Sequence, residues 1–377
     1  MANTLGYYNP LFYAQEALIQ LEKALGMAGR IHRGYDRERR AFRRGEYINI
    51  SRPGTFTAQD APSTAQDLTP DSVQMQLAYW REVKFKLTDK ELAFTTEKMI
   101  EDHIRPAAVA LADDIDTKLC ALYSDIPWYY DVTATAAVSD ITQAWKILFD
   151  NKVPTADAAN MHWMLDSDMT ADFMANSAFS QWQGAGETGV QTQRTGTLGR
   201  KFGFEFFTNQ NVAAHTPGTY SSSPTATTTI AKGATSATLA ATTLTGTLKQ
   251  GDTFVIAGNA QRYAVLALAT ASSNSITVTF TPPAVQAYSS AAVTVSLDTH
   301  SATLAFHKNA FALAMAPLSE MGNELGAKIA TIQDPITGLA IRSRLYYMPD
   351  SSYVAVALDI LYGVKTLDPN LACRGRN

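Results

Sequence analysis

The sequence predicts an α+β fold in which strands pair across distant parts of the chain. Three observations point there. An apolar stripe of helical period runs from Leu11 to Leu25. A fifteen-residue run of strand period covers Val73–Leu87. A Thr/Ala-rich stretch of short β-prone runs fills residues 216–297. The 377 residues are 46 % hydrophobic and 18 % charged, which supplies a sizeable core and the length of two or three domains.

The first element starts near Pro10, a favoured first-turn residue. Leu11, Ala14, Leu18, Leu21 and Leu25 step by three and four along it, and Gly26 and Gly29 can end it. The stripe is narrow, so the helix needs a partner surface. Next, Val73, Met75, Leu77, Tyr79, Val83, Phe85 and Leu87 alternate with polar or exposed-type residues, and Arg81 interrupts the row. This spacing predicts one long strand with one buried face and Tyr47–Ile50 as its partner. Strands and loop form a projecting hairpin with little core of its own.

Residues 97–125 read as a long helix with Ile100, Ile104, Ala108, Leu111, Ile115, Leu119 and Leu122 on one face; Pro106 kinks or restarts it. Residues 139–175 read as mostly helical, with breaks at Pro154 and around Asp166–Asp168. Residues 216–297 hold only four charged residues and no tryptophan, and their runs are punctuated by Gly251-Asp252, Gly258-Asn259 and Pro282-Pro283. That pattern predicts a small all-β module flanked by linkers at 215–224 and 298–301. Strand-like runs follow at 302–315, 339–348 and 353–361.

Charge excludes some functions. The net charge is −4 and the isoelectric point about 5.9, so the chain as a whole is no electrostatic nucleic-acid binder. The segment 30–52 departs from this, with eight arginines against three acidic residues, a local +5 that leaves −9 elsewhere. Such a segment can bind a polyanion or the acidic surface of an identical subunit, and it reads equally as a solvated arm. Two cysteines, Cys120 and Cys373, are too few for a disulfide framework or a four-cysteine zinc site. No basic-then-apolar leader and no membrane-spanning run is apparent, so the composition reads as that of a soluble, reduced, cytosolic protein.

The search for chemistry is negative. Gly184-Ala185-Gly186-Glu187-Thr188-Gly189 matches the dinucleotide pattern in its letters, but no apolar strand precedes it and the Thr/Gln/Gly run after it does not read as a helix. No two histidines have zinc-protease spacing, and His300 and His307 point to opposite faces of a strand. Asp113, Asp114 and Asp116 crowd one helix and read as a solvated face. Cys120 reads as buried and inert. There is no GxSxG elbow and no Walker loop. What remains is a set of surfaces suited to burial between subunits.

Several runs resemble the major capsid (coat) proteins of tailed bacteriophages. Arg30-Ile31-His32-Arg33-Gly34-Tyr35-Asp36 looks like the arm before the family's hairpin, and Gly45 to Pro53 like the hairpin's start. Lys84 to Leu92 resembles the hairpin's return. Ile104-Arg105-Pro106-Ala107-Ala108 with Leu111 to Asp116 resembles the spine helix. Phe306 to Ala312 and Leu358 to Lys365 resemble the C-terminal strands. These runs occur in the family's order.

The resemblance implies the Hong Kong 97-type capsid fold. It divides the chain into an N-terminal arm (1–45), an extended hairpin loop (46–90), a peripheral domain with the spine helix (91–132), an axial domain (133–215), a β-rich insertion domain (216–297) like those of some short-tailed-phage coat proteins, and the C-terminal strands of the axial and peripheral domains (298–377). It implies a structural virion protein rather than an enzyme, with no cofactor, catalytic residue or metal. Many copies would form pentamers and hexamers that tile an icosahedral shell around double-stranded DNA, assembled in the host cytoplasm. The implied partners are the chain itself and non-specifically packaged DNA, with scaffolding, portal and decoration proteins as further candidates. Arg37, Arg39, Arg40, Arg43, Arg44, Arg52, Trp80 and Arg81 are the expected assembly residues; a solvated arm or local hairpin packing is the plainer reading of each. Family members that weld their shells use a lysine in the extended loop, and residues 51–83 contain none, which implies non-covalent assembly. A surface-binding protein that holds glycan or a host through 216–297 is the alternative, and a nucleotide-binding enzyme built on the glycine loop is a third reading.

Overall fold

The computed structural model describes residues 10–33, 47–52, 58, 60–61, 71–88, 103–132, 135–181, 187–320, 328–333, 339–348 and 353–377. It has two compact units. One takes in Met1–Leu25, His32–Ile115 and Ala312–Leu367; the other takes in Gly26–Ile31, Asp116–Phe311 and Asp368–Asn377.

In the first unit, helix Pro10–Ala24 buries Tyr13, Ala14, Ala17 and Leu21. It packs on strands Lys328–Gln333 and Ala340–Met348. The stripe is turned from the expected one: Leu11 is exposed and Tyr13 takes its place inside. Strand Tyr47–Arg52 pairs antiparallel with Asp71–Gln76, with Ile48 opposite Met75 and Ile50 opposite Val73. The single long strand is corrected here. It stops at Gln76 and restarts at Tyr79, and from there Tyr79–Thr88 pairs along its length with Tyr353–Thr366, from Tyr79–Tyr362 to Thr88–Tyr353. The change of partner depends on Gly363, where an added Cβ would lie 2.3 Å from the Gln76 carbonyl oxygen. The hairpin base is also better covered than expected. Ile48, Ile50, Met75 and Leu77 pack on Ala312, Ala314 and Ala316 of strand Phe311–Ala316. Alternate alanines leave room for that row. Helix Arg105–Cys120 follows a π turn at His103–Ile104, so Pro106 sits in its first turn, where no backbone donor is lost.

The second unit holds a seven-stranded mixed sheet. Its order is Tyr129–Asp131, Ala372–Arg376, His300–His307, Met161–Leu165, Phe204–Thr208, Arg200–Lys201, with Ala214–His215 also pairing His300–His307. The central strand Met161–Leu165 is buried at every position, and Trp163 stacks on Phe206 and meets Tyr130, Phe173 and Phe204 edge to face. The expected helical span 139–175 is therefore two helices, Val138–Asp150 and Ser167–Ala175, with a strand between them. The expected run 302–315 is likewise two strands in different sheets, parted by a tight turn at Lys308–Ala310.

Six strands close a barrel in the order Thr227–Ile230, Ser236–Ala240, Ser275–Thr281, Arg262–Val265, Thr253–Ile256, Tyr288–Ser296. Alternation is clearest in Ser236–Ala240 and Ser275–Thr281. In Ser236–Ala240, Ala237 and Leu239 point in and the Ser, Thr and Ala between them point out. Phe254, Tyr263 and Phe280 meet at the centre, joined by Ile276, Val278 and Leu239. Closure pairs the sheet's edges.

Candidate assembly surface

Strand Tyr79–Thr88 sets its side chains alternately on two faces. Arg81 and Tyr79 share one face. The Arg81 Nε donates to Asp114 Oδ2 at 3.1 Å, and the guanidinium lies over the Tyr79 ring. Tyr362 OH donates to the same Asp114 oxygen at 2.5 Å and stacks on Tyr79. Burial, then this hydrogen bond to a carboxylate, pushes the Tyr362 hydroxyl well above the usual tyrosine range. Arg81 breaks the apolar row because it answers a carboxylate on the Arg105–Cys120 helix.

Trp80 lies on the other face and is 60 % exposed. Its Nε1 donates to Asp359 Oδ2 at 3.1 Å. Asp359 is fully buried, and Arg342 grips it with Nε at 3.0 Å and Nη2 at 2.5 Å. Arg344 reaches the same carboxylate at 3.4 Å and Glu82 at 2.9 Å. Two guanidiniums and an indole donor compensate one buried anion. On the same strand, Lys84 lies over the Tyr346 ring and Lys86 over Tyr353. The resulting surface is polar, with one large exposed indole.

Of the eight expected residues, Trp80 and Arg81 are thus placed on one strand, on opposite faces. Arg37, Arg39, Arg40, Arg43 and Arg44 lie outside the described residues. Arg52 is placed by its backbone alone, opposite Asp71. Asp359, Arg342, Arg344 and Asp114 were not expected. The available signal was Arg342 and Arg344 two apart, and so on one face, in a strand with no carboxylate of its own.

The second unit gives the remaining candidates plain roles. Asp116 is not solvated, as its helix face suggested: it is buried and accepts from the backbone N–H groups of Gly26 at 2.6 Å and Ala28 at 3.2 Å. Arg30 bonds Glu205 at 3.2 Å and covers the Phe207 ring. A cavity of about 250 Å³ lies beside it, lined by Gly26, Leu198, Phe206 and Phe207. Burial holds His162, next to Glu205, down at about 4. The glycine pattern is corrected in one respect: a helix, Glu187–Thr195, does begin inside it. The segment before it is the short helix Ser177–Ser180 rather than a strand, and Gly184–Gly186 lie outside the described residues. Burial pushes the Cys373 thiol up to about 12 and Cys120 higher, which keeps both protonated. Among the described residues no group of His, Cys, Asp and Glu is placed to hold a metal, and no helix is long and apolar enough to cross a membrane.

No family model matches the chain, and no curated protein matches its sequence. Solved structures do. One from Mycobacterium phage Che8 is similar with a TM-score of 0.51 at 14 % identity, over 93 % of this chain and 90 % of that one. The capsid structure of cyanophage P-SCSP1u gives 0.46 at 10 % identity, over 88 % and 84 %. The mature capsid of bacteriophage PhiM1 gives 0.45 at 9 %, over 88 % and 82 %. Identities this low speak to fold alone. The chain therefore shares the fold of the Che8 phage structure.

Proposed function

We propose that this chain is the major capsid protein of a tailed phage, with a structural rather than an enzymatic role. The observation that carries the reading is the end-to-end likeness in fold to the Che8 phage structure, over nine-tenths of both chains. The order of resembling segments along the sequence supports it independently. In this reading the fold is of Hong Kong 97 type and the barrel is an insertion domain. Pentamers and hexamers of the chain close an icosahedral shell around double-stranded DNA, in the virion, after assembly in the host cytoplasm. Scaffolding, portal and decoration proteins would be its partners. Ring contacts between identical subunits are head-to-tail and close by rotation. Each contact is modest, and multiplicity holds the shell. The hairpin lies over a neighbouring subunit, the Trp80 face joins that contact, and the arginine-rich arm crosses between subunits. For the arm, arginine's planar fork suits carboxylates of a neighbour better than mobile DNA. Sedimentation of the purified protein tests the reading. Particles of megadalton mass support it, and a stable 40.9 kDa monomer contradicts it.

A further inference from the structure

The chain enters and leaves the barrel through two strands that lie side by side. Ala214–His215 leads in and His300–His307 leads out, and His300 is paired opposite His215. The two imidazole rings are 5.0 Å apart, and both are buried.

His215 is held at both nitrogens, by Tyr123 OH at 3.0 Å and by Asp252 Oδ1 at 3.0 Å. The other oxygen of Asp252 accepts from the backbone N–H groups of Gly218 and Lys249, at 3.1 and 2.7 Å. Gly251, at φ +93°, permits this approach, since a Cβ there would lie 3.2 Å from the His215 ring. Its carbonyl accepts from Arg374 Nη2 at 2.7 Å. His215 and the buried Arg374 thus tie the barrel's base to the sheet, alongside Arg262, which donates to the Tyr129 carbonyl, and Arg376, which donates to Ser296.

His300 is differently placed. Its Nδ1–H donates to the Asp298 carbonyl at 2.9 Å, which leaves Nε2 as the basic nitrogen, and Nε2 is buried with no hydrogen-bond partner among the described residues. The charges that act on it are Arg374 and Arg376 from strand Ala372–Arg376, and His215 from strand Ala214–His215. Arg374 is buried with its own Nε and Nη1 unpartnered. Arg376 is committed to Asp131, Ser296 and Asp298. Asp252 is turned to His215 rather than to His300. A proton added at Nε2 finds no acceptor and two guanidiniums close by.

We propose that this histidine pair is an acid-sensitive joint, in which protonation of His300 releases the barrel from the seven-stranded sheet while the barrel itself stays folded. The sign follows from linkage. Burial first, then the arginines and His215, hold His300 down at about 4 in the docked state; a freed histidine titrates near 6.5. Docking is at full strength above about 6.5 and is lost as pH falls through about 4. The test must separate His300 from the other ionisable groups at the joint.

Hydrogen–deuterium exchange of the full chain at pH 7.0 and 4.5, corrected for intrinsic exchange, does so. Peptides covering 216–224 and 247–252 are expected to speed up by about tenfold or more at the lower pH, with amides of Thr253–Ile256 and Ser275–Thr281 still protected. His300→Asn keeps a neutral donor for the Asp298 carbonyl and removes the titration; its acid response is expected to fall below about threefold. Unchanged protection in the native chain, or loss of barrel and joint protection together, overturns the proposal. So does a His300→Asn response equal to the native one. Should that variant fail to fold, His300→Gln is measured in its place, with the same two outcomes deciding.

Discussion

The barrel and the hairpin are both antiparallel structures written in alternating residues, yet they bury those residues in opposite ways. The barrel's inward row meets only itself: Phe254, Tyr263, Phe280 and their aliphatic neighbours all come from within 226–293. The hairpin's row, Ile48, Ile50, Met75 and Leu77, meets alanines at 312, 314 and 316. One pattern thus yields a closed local core and the other a core borrowed from a strand more than 200 residues away. Local cores close cheaply, whereas borrowed ones wait for the rest of the fold. The barrel should therefore melt on its own terms, and the hairpin only with the body.

Phe280→Ala tests the first half and should have the largest effect, about 4 kcal/mol against the barrel. Residues 216–297 contain no tryptophan, so tryptophan fluorescence reports the rest of the chain. Its thermal midpoint is expected to stay in place while calorimetry shows the barrel's transition falling. A fluorescence midpoint that falls in step breaks the comparison. Asp359→Asn comes next. It leaves the buried Arg342 and the partly exposed Arg344 with a weakened partner, at about 3 kcal/mol, and here the fluorescence midpoint should drop.

Ile50→Ala opens a small cavity at the hairpin base, worth about 2 kcal/mol. It should lower the denaturation midpoint of the first unit and leave exchange protection in the barrel unchanged. Arg81→Ala is the smallest change, below about 1 kcal/mol, because its bond to Asp114 is half-exposed. Chemical denaturation should barely register it, and shell yield is the sensitive readout. If the Arg81 and Trp80 strand is an interface, Trp80→Ala, which also removes one donor from Asp359, should lower particle yield by more than its cost in subunit stability accounts for.

The same contrast governs what the sequence discloses. The barrel strand Ser275–Thr281 was legible because it alternates and a turn precedes it, whereas Thr227–Ile230 and Ser236–Ala240, made of Thr, Ser and Ala with few large apolar residues, were not. Met161–Leu165 was not, because a strand buried on both faces has no alternation and its apolar run reads like the helices beside it. The break at Leu77-Ala78 was hidden because both strands keep the same alternation, and only Gly363, nearly 300 residues on, marks the crossing. Trp80 and Arg81 stand out in the sequence as residues out of place in a pattern, and the structure shows what each bonds within the chain. Asp359 and Asp114 were not, since a carboxylate's partners in space leave no spacing in sequence. The joint at His215, Asp252, His300 and Arg374 is spread over 160 residues for the same reason.

The capsid reading is tested most directly by electron microscopy of the purified full-length chain. Closed shells of uniform diameter, with rings of five and six subunits in the averaged density, are the expected result. A field of separate subunits or small oligomers without closed shells would contradict it.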